Sequence, residues 1–342
     1  MHNDLTIASG TELVDMGVWQ DGRSVNVLQA LMALHEKRAF SADASLQPSK
    51  FLSPKNALVM GRPADAALGL AHYMRVHQDT LRAMMVEGCA AIEREFNEHG
   101  TETDREWFEY VYRRKATPKK MGEQVRDEGR NGETIDDFVR HPSSQKARLT
   151  KAHVLALRLY STPCYQSLNE PLRRQPNRRS NEPMAPHPFA ATVAFLDEGI
   201  RQLRANQAPA SGKSDASGKS AKFASSQVGS ALATGQVLWR GMRAIDMTEE
   251  FLTRGGTELA PMSTTPDLSV AVYYGLSAST LLFRLTSTDF MDRGASIAYL
   301  SAFPNEDEML YPPLTYLRPL GKPRVEKVGG VEFTIVAAKP SF

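Results

Sequence analysis

The sequence predicts an α+β protein, helical through its first two thirds and strand-bearing in its last third. Three observations carry that reading. Apolar residues recur at helical spacing from about residue 25 to residue 203. Short β-type apolar runs begin only after residue 236. Between these regimes lie polar stretches, at 113–134 and 207–222, that can pack no face of their own.

In chain order, Val25, Leu28, Leu31, Met32 and Leu34 give the first helical stripe. A longer run from Ala64 to Phe96 repeats it through Leu68, Leu70, Ala71, Met74, Leu81, Met84, Met85 and Ile92, and Gly100 ends it. Trp107, Phe108, Val111 and Tyr112 predict another helix. The segment 113–134, with Pro118 and three glycines, reads as a connector and a candidate boundary. Residues 1–130 are therefore expected to form a helical N-terminal region with a regulatory or docking role, and 131–342 a second unit. Helices are expected at Thr134–Val139, at Leu149–Tyr160 with Thr150 as N-cap, at Tyr165–Arg173 beyond the break at Pro163, and at Phe189–Leu203. The stretch 173–188 holds four prolines and reads as a loop. Residues 207–222 are small and polar and read as a flexible insertion. Strands follow at Val237–Trp239, Leu281–Leu285, Met309–Tyr311 and Phe333–Ala337, with helical patches at Met247–Thr253 and Leu268–Gly275.

Composition bounds the function. The 342 residues are 42% hydrophobic and 23% charged, ordinary globular usage. A net charge of +2 on 41 basic and 39 acidic groups gives no reason to expect nucleic acid or an anionic membrane as partner. No apolar run approaches the roughly 20 residues that span a bilayer. The opening MHNDLTIASG lacks the basic and apolar parts of a signal peptide, so a cytoplasmic location is expected. Cys89 and Cys164 fit no disulfide framework or zinc spacing and are expected to be reduced thiols.

Several motifs fail on context. Gly218-Lys219-Ser220 invites a P-loop reading, but the glycine required five residues earlier is Lys213. No glycine fingerprint of a dinucleotide fold follows a strand. His72 and His77 are five apart, off the spacing of a helical zinc pair, and no metal is expected. Arg173, Arg174, Arg178 and Arg179 read as a solvated basic loop, with phosphate binding as the alternative.

Three separated pieces do fit one chemical plan. Leu238-Trp239-Arg240-Gly241 sends an arginine from a strand beside a glycine. Met262-Ser263-Thr264-Thr265-Pro266 is a hydroxyl-rich strand end before a helix, and Phe303 to Leu310 is a turn carrying Glu306 and Glu308 into an apolar strand. Cleaving a ribosyl–nicotinamide bond needs a carboxylate against an oxocarbenium-like centre. It needs a forked cation for a diphosphate and a hydroxyl to hold the carboxylate. A guanidinium acceptor, always protonated, needs a second carboxylate to orient it and take its proton. Residues at i and i+2 of an extended stretch point to one side, so Glu306 and Glu308 are expected to face one cleft.

In this order, an arginine, a Ser-Thr pair and a Glu-x-Glu, the chain resembles the R-S-E class of arginine-specific mono-ADP-ribosyltransferases. The upstream segment VLALRLYSTPCYQSLNEPLR, with Tyr160, Tyr165, Asn169, Leu172 and Arg173, resembles the helical segment before the arginine strand in that class. The resemblance implies two small, roughly perpendicular sheets around an NAD cleft, flanked by helices, preceded here by an all-α region. It implies NAD as co-substrate and an arginine-containing protein as acceptor. It assigns catalysis to Arg240, Ser263, Glu306 and Glu308, with Arg240 on the diphosphate and Ser263 positioning Glu308; NAD binding to Arg240, Gly241, Ser263, Thr264 and Glu308; and the acceptor to Phe303 and Glu306. Thr265 stands where that class usually has serine, and Phe303 lacks the hydroxyl often found there. Two other readings use the same residues: an NAD glycohydrolase with water as acceptor, and an NAD-binding module without turnover.

Overall fold

The structure, a computed structural model, describes residues 58–113, 120–121, 124–130, 132–173, 185–207, 236–243, 247–275, 279–287, 292–328 and 331–342. The helix expected at Val25–Leu34, the insertion from 208 to 222 with Gly218-Lys219-Ser220, and Arg174, Arg178 and Arg179 lie outside the described residues.

A short strand β1 (Val59–Met60) opens the described chain. A 3-10 turn (Ala66–Leu68) follows, then α1 (Gly69–Met74), α2 (Gln78–Glu87), α3 (Cys89–His99) and α4 (Glu102–Phe108), which runs on into a π-helical turn at Glu109–Arg113. The apolar run 64–96 is thus not one helix. It breaks at Arg75 (φ 57°) and Gly88 (φ 61°), both left-handed. The periodicity persisted because each short helix turns its apolar stripe to the same core, which patterning alone registers as continuity. Gly100 does end α3, its N–H reaching Phe96 O at 3.1 Å.

The strands β2 (Lys120–Met121) and β3 (Gln124–Val125) pair antiparallel inside the stretch read as a connector. Five helices follow: α5 (Ile135–Arg140), α6 (Pro142–Ala147), α7 (Lys151–Tyr160), α8 (Tyr165–Arg173) and α9 (Ala190–Asn206). Thr101, Thr134 and Thr150 each close a capping box at a helix start, with Asp104, Asp137 and His153 as reciprocal acceptors. The start of α9 is capped from a distance. Glu95 of α3 accepts from Ala191 N (2.6 Å), Thr192 N (3.0 Å) and the Thr192 hydroxyl (2.6 Å). Burial pushes this carboxyl up to about 7 against those hydrogen bonds.

The last third is strand-rich: β4 (Gln236–Arg243), α10 (Glu249–Arg254), β5 (Gly256–Glu258), β6 (Met262–Thr264), α11 (Leu268–Gly275), β7 (Ser279–Ser287), β8 (Ala295–Ser296), β9 (Met309–Tyr311), β10 (Thr315–Pro319), β11 (Arg324–Val328) and β12 (Val331–Ser341). The larger sheet runs β1-β5-β10-β12-β7-β4, with β11 paired to β12; β12 and β7 are parallel and every other pair antiparallel. The smaller runs β6-β9-β8. One bridge ties the sheets: Trp239 and Thr265 exchange N–H···O bonds of 2.7 and 3.0 Å. Among the described residues this is an α+β architecture with two larger sheets and the separate β2–β3 hairpin.

Two apolar clusters hold it. One gathers Ile92, Phe96, Trp107 and Val111 with Leu155, Leu157, Leu196 and Ile200, and with Ile297, Leu300 and Phe303. Helices from both sides of residue 130 thus bury a common cluster. The other lies against the large sheet: Leu238, Met242, Phe251, Met262, Phe283, Leu317 and Val336. Cys89 and Cys164 are free thiols. His72 lies 2.9 Å from Asp65, and His77 caps α2. Among the described residues no helix is long and apolar enough to cross a membrane, and no group of three His, Cys, Asp or Glu side chains is placed to hold a metal ion.

Candidate active site

A cleft of about 560 Å³ opens where α8, β4, β6, α11 and the 303–308 loop converge; Arg240, Gly241, Ser263, Thr264, Phe303, Glu306 and Glu308 all line it. All seven residues singled out from the sequence are therefore brought together, from segments up to 68 positions apart.

Its cationic wall has a buried anion behind it. Arg240 of β4 donates to Ser263 O at 2.9 Å and to Glu258 Oε2 at 3.3 Å. Arg173, the last residue of α8, donates from Nε and Nη2 to the two oxygens of the same Glu258, at 2.9 and 3.0 Å. Ala260 N–H adds a 3.1 Å bond to Oε1. Glu258 is fully buried, whereas Arg240 and Arg173 keep 13% and 11% of their side chains exposed, toward the cleft they line. Two guanidinium groups share one carboxylate, leaving an excess positive charge where the surroundings screen it poorly. Burial draws the Arg240 pKa down and the Glu258 charge opposes this.

The two carboxylates reach the cleft by a different route from the one expected. Glu306 closes a 3-10 turn (Pro304–Glu306), and Asp307 follows at φ 47° in the left-handed region. Glu308 stands just before β9. A tight turn followed by a left-handed residue brings the pair to one cleft, not the alternation of an extended strand. Glu308 is 6% exposed. Burial pushes it up to about 8, the Ser263 hydroxyl hydrogen bond lowers it, the Glu306 charge raises it, and the Ser301 hydroxyl lowers it. The Tyr274 hydroxyl, at the end of α11, donates to Glu306 Oε1 at 2.5 Å. Burial and that carboxylate hold Tyr274 well above the ordinary phenol range.

The three hydroxyls of the Ser-Thr-Thr run divide the work. Ser263 serves Glu308. Thr264 donates to Met309 O at 2.9 Å, fastening β6 to β9. Thr265 donates to Glu306 O at 2.7 Å and accepts from Asp267 N at 3.0 Å, tying the carboxylate turn to the start of α11. Gly241 has a packing reason as well as its place in the cleft: a Cβ there would stand 1.8 Å from Ala271 O, so β4 and α11 approach only because no side chain intervenes. Phe303 is 7% exposed, with its ring edge-on to Trp107 at 6.1 Å. The exposed aromatics at the rim are Tyr165, Tyr273 and Tyr274.

Sequence reasoning passed over Glu258 and Tyr274 and read Arg173 in two ways, as one of a solvated basic group and as a position in the helical segment that carries the resemblance. The signal for Arg173 was its place beside Leu168, Asn169 and Leu172 on the buried stripe of α8. Nothing local marks Glu258, whose two arginine partners lie 85 and 18 residues away.

The family model described as NAD:arginine ADP-ribosyltransferase matches residues 115–328. Comparison with curated protein sequences gives no match. Among solved structures, the chain is similar to the ADP-ribosyltransferase HopU1 of Pseudomonas syringae pv. Tomato DC3000, at 17% identity and a TM-score of 0.40, over 70% of this chain and 97% of that one. It is similar to Vis toxin, an ADP-ribosyltransferase from Vibrio splendidus, at 16% identity and a TM-score of 0.36, over 60% and 81%. The type III effector XopAI from Xanthomonas axonopodis pv. citri aligns at 13% identity and a TM-score of 0.36, over 76% and 98%.

Proposed function

Because the chain belongs to the NAD:arginine ADP-ribosyltransferase family, we propose that it splits NAD and transfers the ADP-ribose to the guanidinium of a protein arginine, with Arg240, Ser263, Glu306 and Glu308 as the working groups. One observation carries the reading: two guanidinium groups sharing a single buried carboxylate stand in the same cleft as a hydroxyl-held glutamate. A diphosphate supplies the negative charge that Arg173 and Arg240 leave unbalanced, and the fork geometry of arginine suits it.

With NAD bound, Glu308 takes the nicotinamide ribose. As the bond from C1′ to the pyridinium nitrogen breaks, its electron pair passes to that nitrogen and neutral nicotinamide leaves. The positive charge moves to the ribose ring, where the Glu308 carboxylate stabilises it. The acceptor guanidinium, oriented by Glu306, forms the new C1′–N bond and gives a proton to Glu306. Ser263 holds Glu308, and Arg240 holds Ser263 through its carbonyl, so the cation that grips the diphosphate also sets the depth of the reactive carboxylate.

NAD hydrolysis with water as acceptor is the second reading. It is favoured by the 2.5 Å hydrogen bond through which Tyr274 already engages Glu306. Labelled NAD with agmatine separates the two. The transferase reading expects ADP-ribosyl-agmatine from the intact protein, and Glu306→Gln is expected to lower transfer about 10²-fold or more while nicotinamide release in water persists. Nicotinamide release without any agmatine product would leave hydrolysis as the function; neither product would overturn both.

A further inference from the structure

The backbone just before the reactive carboxylates is irregular from 298 to 302, yet each of its five carbonyls is taken up by a neighbouring stretch of protein. Arg130 donates to the carbonyls of Ala298 (3.3 Å), Tyr299 and Ser301 (2.5 Å). Asp127 N–H donates to Ala302 O at 2.8 Å. Leu300 O accepts from Arg158 at 2.7 Å, and Arg158, with no exposed surface, is itself held by Asp127 at 2.9 and 3.2 Å. A turn thus supplies, directly or through one ion pair, the donors for five consecutive carbonyls. Its left-handed residues Asp127 (φ 47°) and Gly129 (φ 77°) curl it into that shape.

Two more contacts reach the carboxylate turn itself. Asn305 donates to Glu128 at 2.7 Å. Arg126 lies 4.0 Å over the Trp107 ring, which meets Phe303 edge-on. Irregular backbone is ordinarily solvated and mobile, and direct protein donors on every carbonyl remove that freedom.

We propose that the turn Arg126–Arg130, with Arg158 beneath it, is a positioning element for the reactive carboxylates: it clamps the 298–302 backbone and so sets where Phe303, Glu306 and Glu308 stand. The clamp is a claim about the loop, whereas its effect on rate rests on the proposed roles of Glu306 and Glu308, and the experiment reads the two apart.

Arg130→Ala, Glu128→Ala and Glu128→Gln in the full chain are compared with wild type by amide hydrogen exchange, NAD turnover, transfer to agmatine and thermal unfolding. Arg130→Ala is expected to speed exchange of peptides spanning 298–308 by about tenfold or more, with α7 and β12 unchanged. Its kcat for NAD is expected to fall about tenfold with KM within about twofold, because the diphosphate-facing arginines are held by Glu258 and not by the turn. Glu128→Gln keeps an acceptor for Asn305 and is expected to retain wild-type transfer, which Glu128→Ala lowers. Should Arg130→Ala fail to fold, Glu128→Ala, an exposed change, decides through exchange at 303–308. Unchanged exchange there, or kcat and KM for NAD moving together, overturns the clamp. Faster exchange in a protein whose wild type turns over no NAD supports the clamp and overturns the enzyme reading.

Discussion

Glu308 sets the pH behaviour at the scale of a single residue. Burial lifts it to about 8, so in the ligand-free cleft near neutrality it carries a proton, yet the proposed chemistry uses its charged form. The acid limb of kcat/KM for NAD is therefore expected near pH 8. Bound NAD brings a pyridinium cation that favours the carboxylate, so the limb of kcat is expected at lower pH; coincident limbs would count against this role. The same shift acts on stability. An acid raised in the folded state keeps a proton that the unfolded chain releases, so its contribution is complete below the unfolded value of 4.5 and is lost as pH rises to about 8. Glu308→Gln abolishes that dependence. Its melting temperature is expected to match wild type near about pH 5 and exceed it near about pH 9. Equal differences at both would show that Glu308 does not titrate in this window.

Among the elements, the contact of β4 with α11 carries the sharpest prediction. Gly241→Ala places a methyl against Ala271 O and Gly275 N, both backbone atoms that cannot rotate away. It is expected to cost about 1–3 kcal/mol, read as a lower denaturation midpoint, and to raise KM for NAD because Arg240 moves with its strand. An unchanged midpoint would mean the strand and helix part freely. The same elements mark what a single sequence can disclose. Arg240, Ser263 and Glu308 each sit in a short run whose local chemistry is readable: strand end, capping run, acidic turn. Glu258 is one acid in a three-residue strand, and its meaning comes wholly from two arginines brought to it by folding. The turn 126–130 was read as polar connector for a related reason. Side chains that satisfy buried carbonyls have the same composition as side chains that face water, and only the fold tells them apart. The strands β5, β10 and β11 escaped notice because they are short and mix charged residues into the pattern.

For the whole molecule, the division of the chain near residue 130 can be tested by truncation. A chain of 131–342 loses β1, which pairs with β5, and helices α1 to α4, which share a core with α7 and α9. It also loses Asp127, leaving Arg158 buried without its counter-ion, a change that costs about 3–5 kcal/mol in comparable cases. Set against a typical total of about 5–15 kcal/mol, the fragment is expected to show no cooperative melt by circular dichroism, while a chain of 58–342 does. A cooperative transition in the shorter fragment would establish it as a separable unit. The shared carboxylate behind the cleft has a wider consequence. Glu258 meets an arginine from the helical part and another from the sheet, so it is at once a rivet of the architecture and the counterweight of the cleft's cationic wall. A survey of inactive variants that scored only turnover would file a Glu258 change with the chemical groups. Such a protein would still hold every reacting atom; what it would lack is the reason for two like charges to stand side by side.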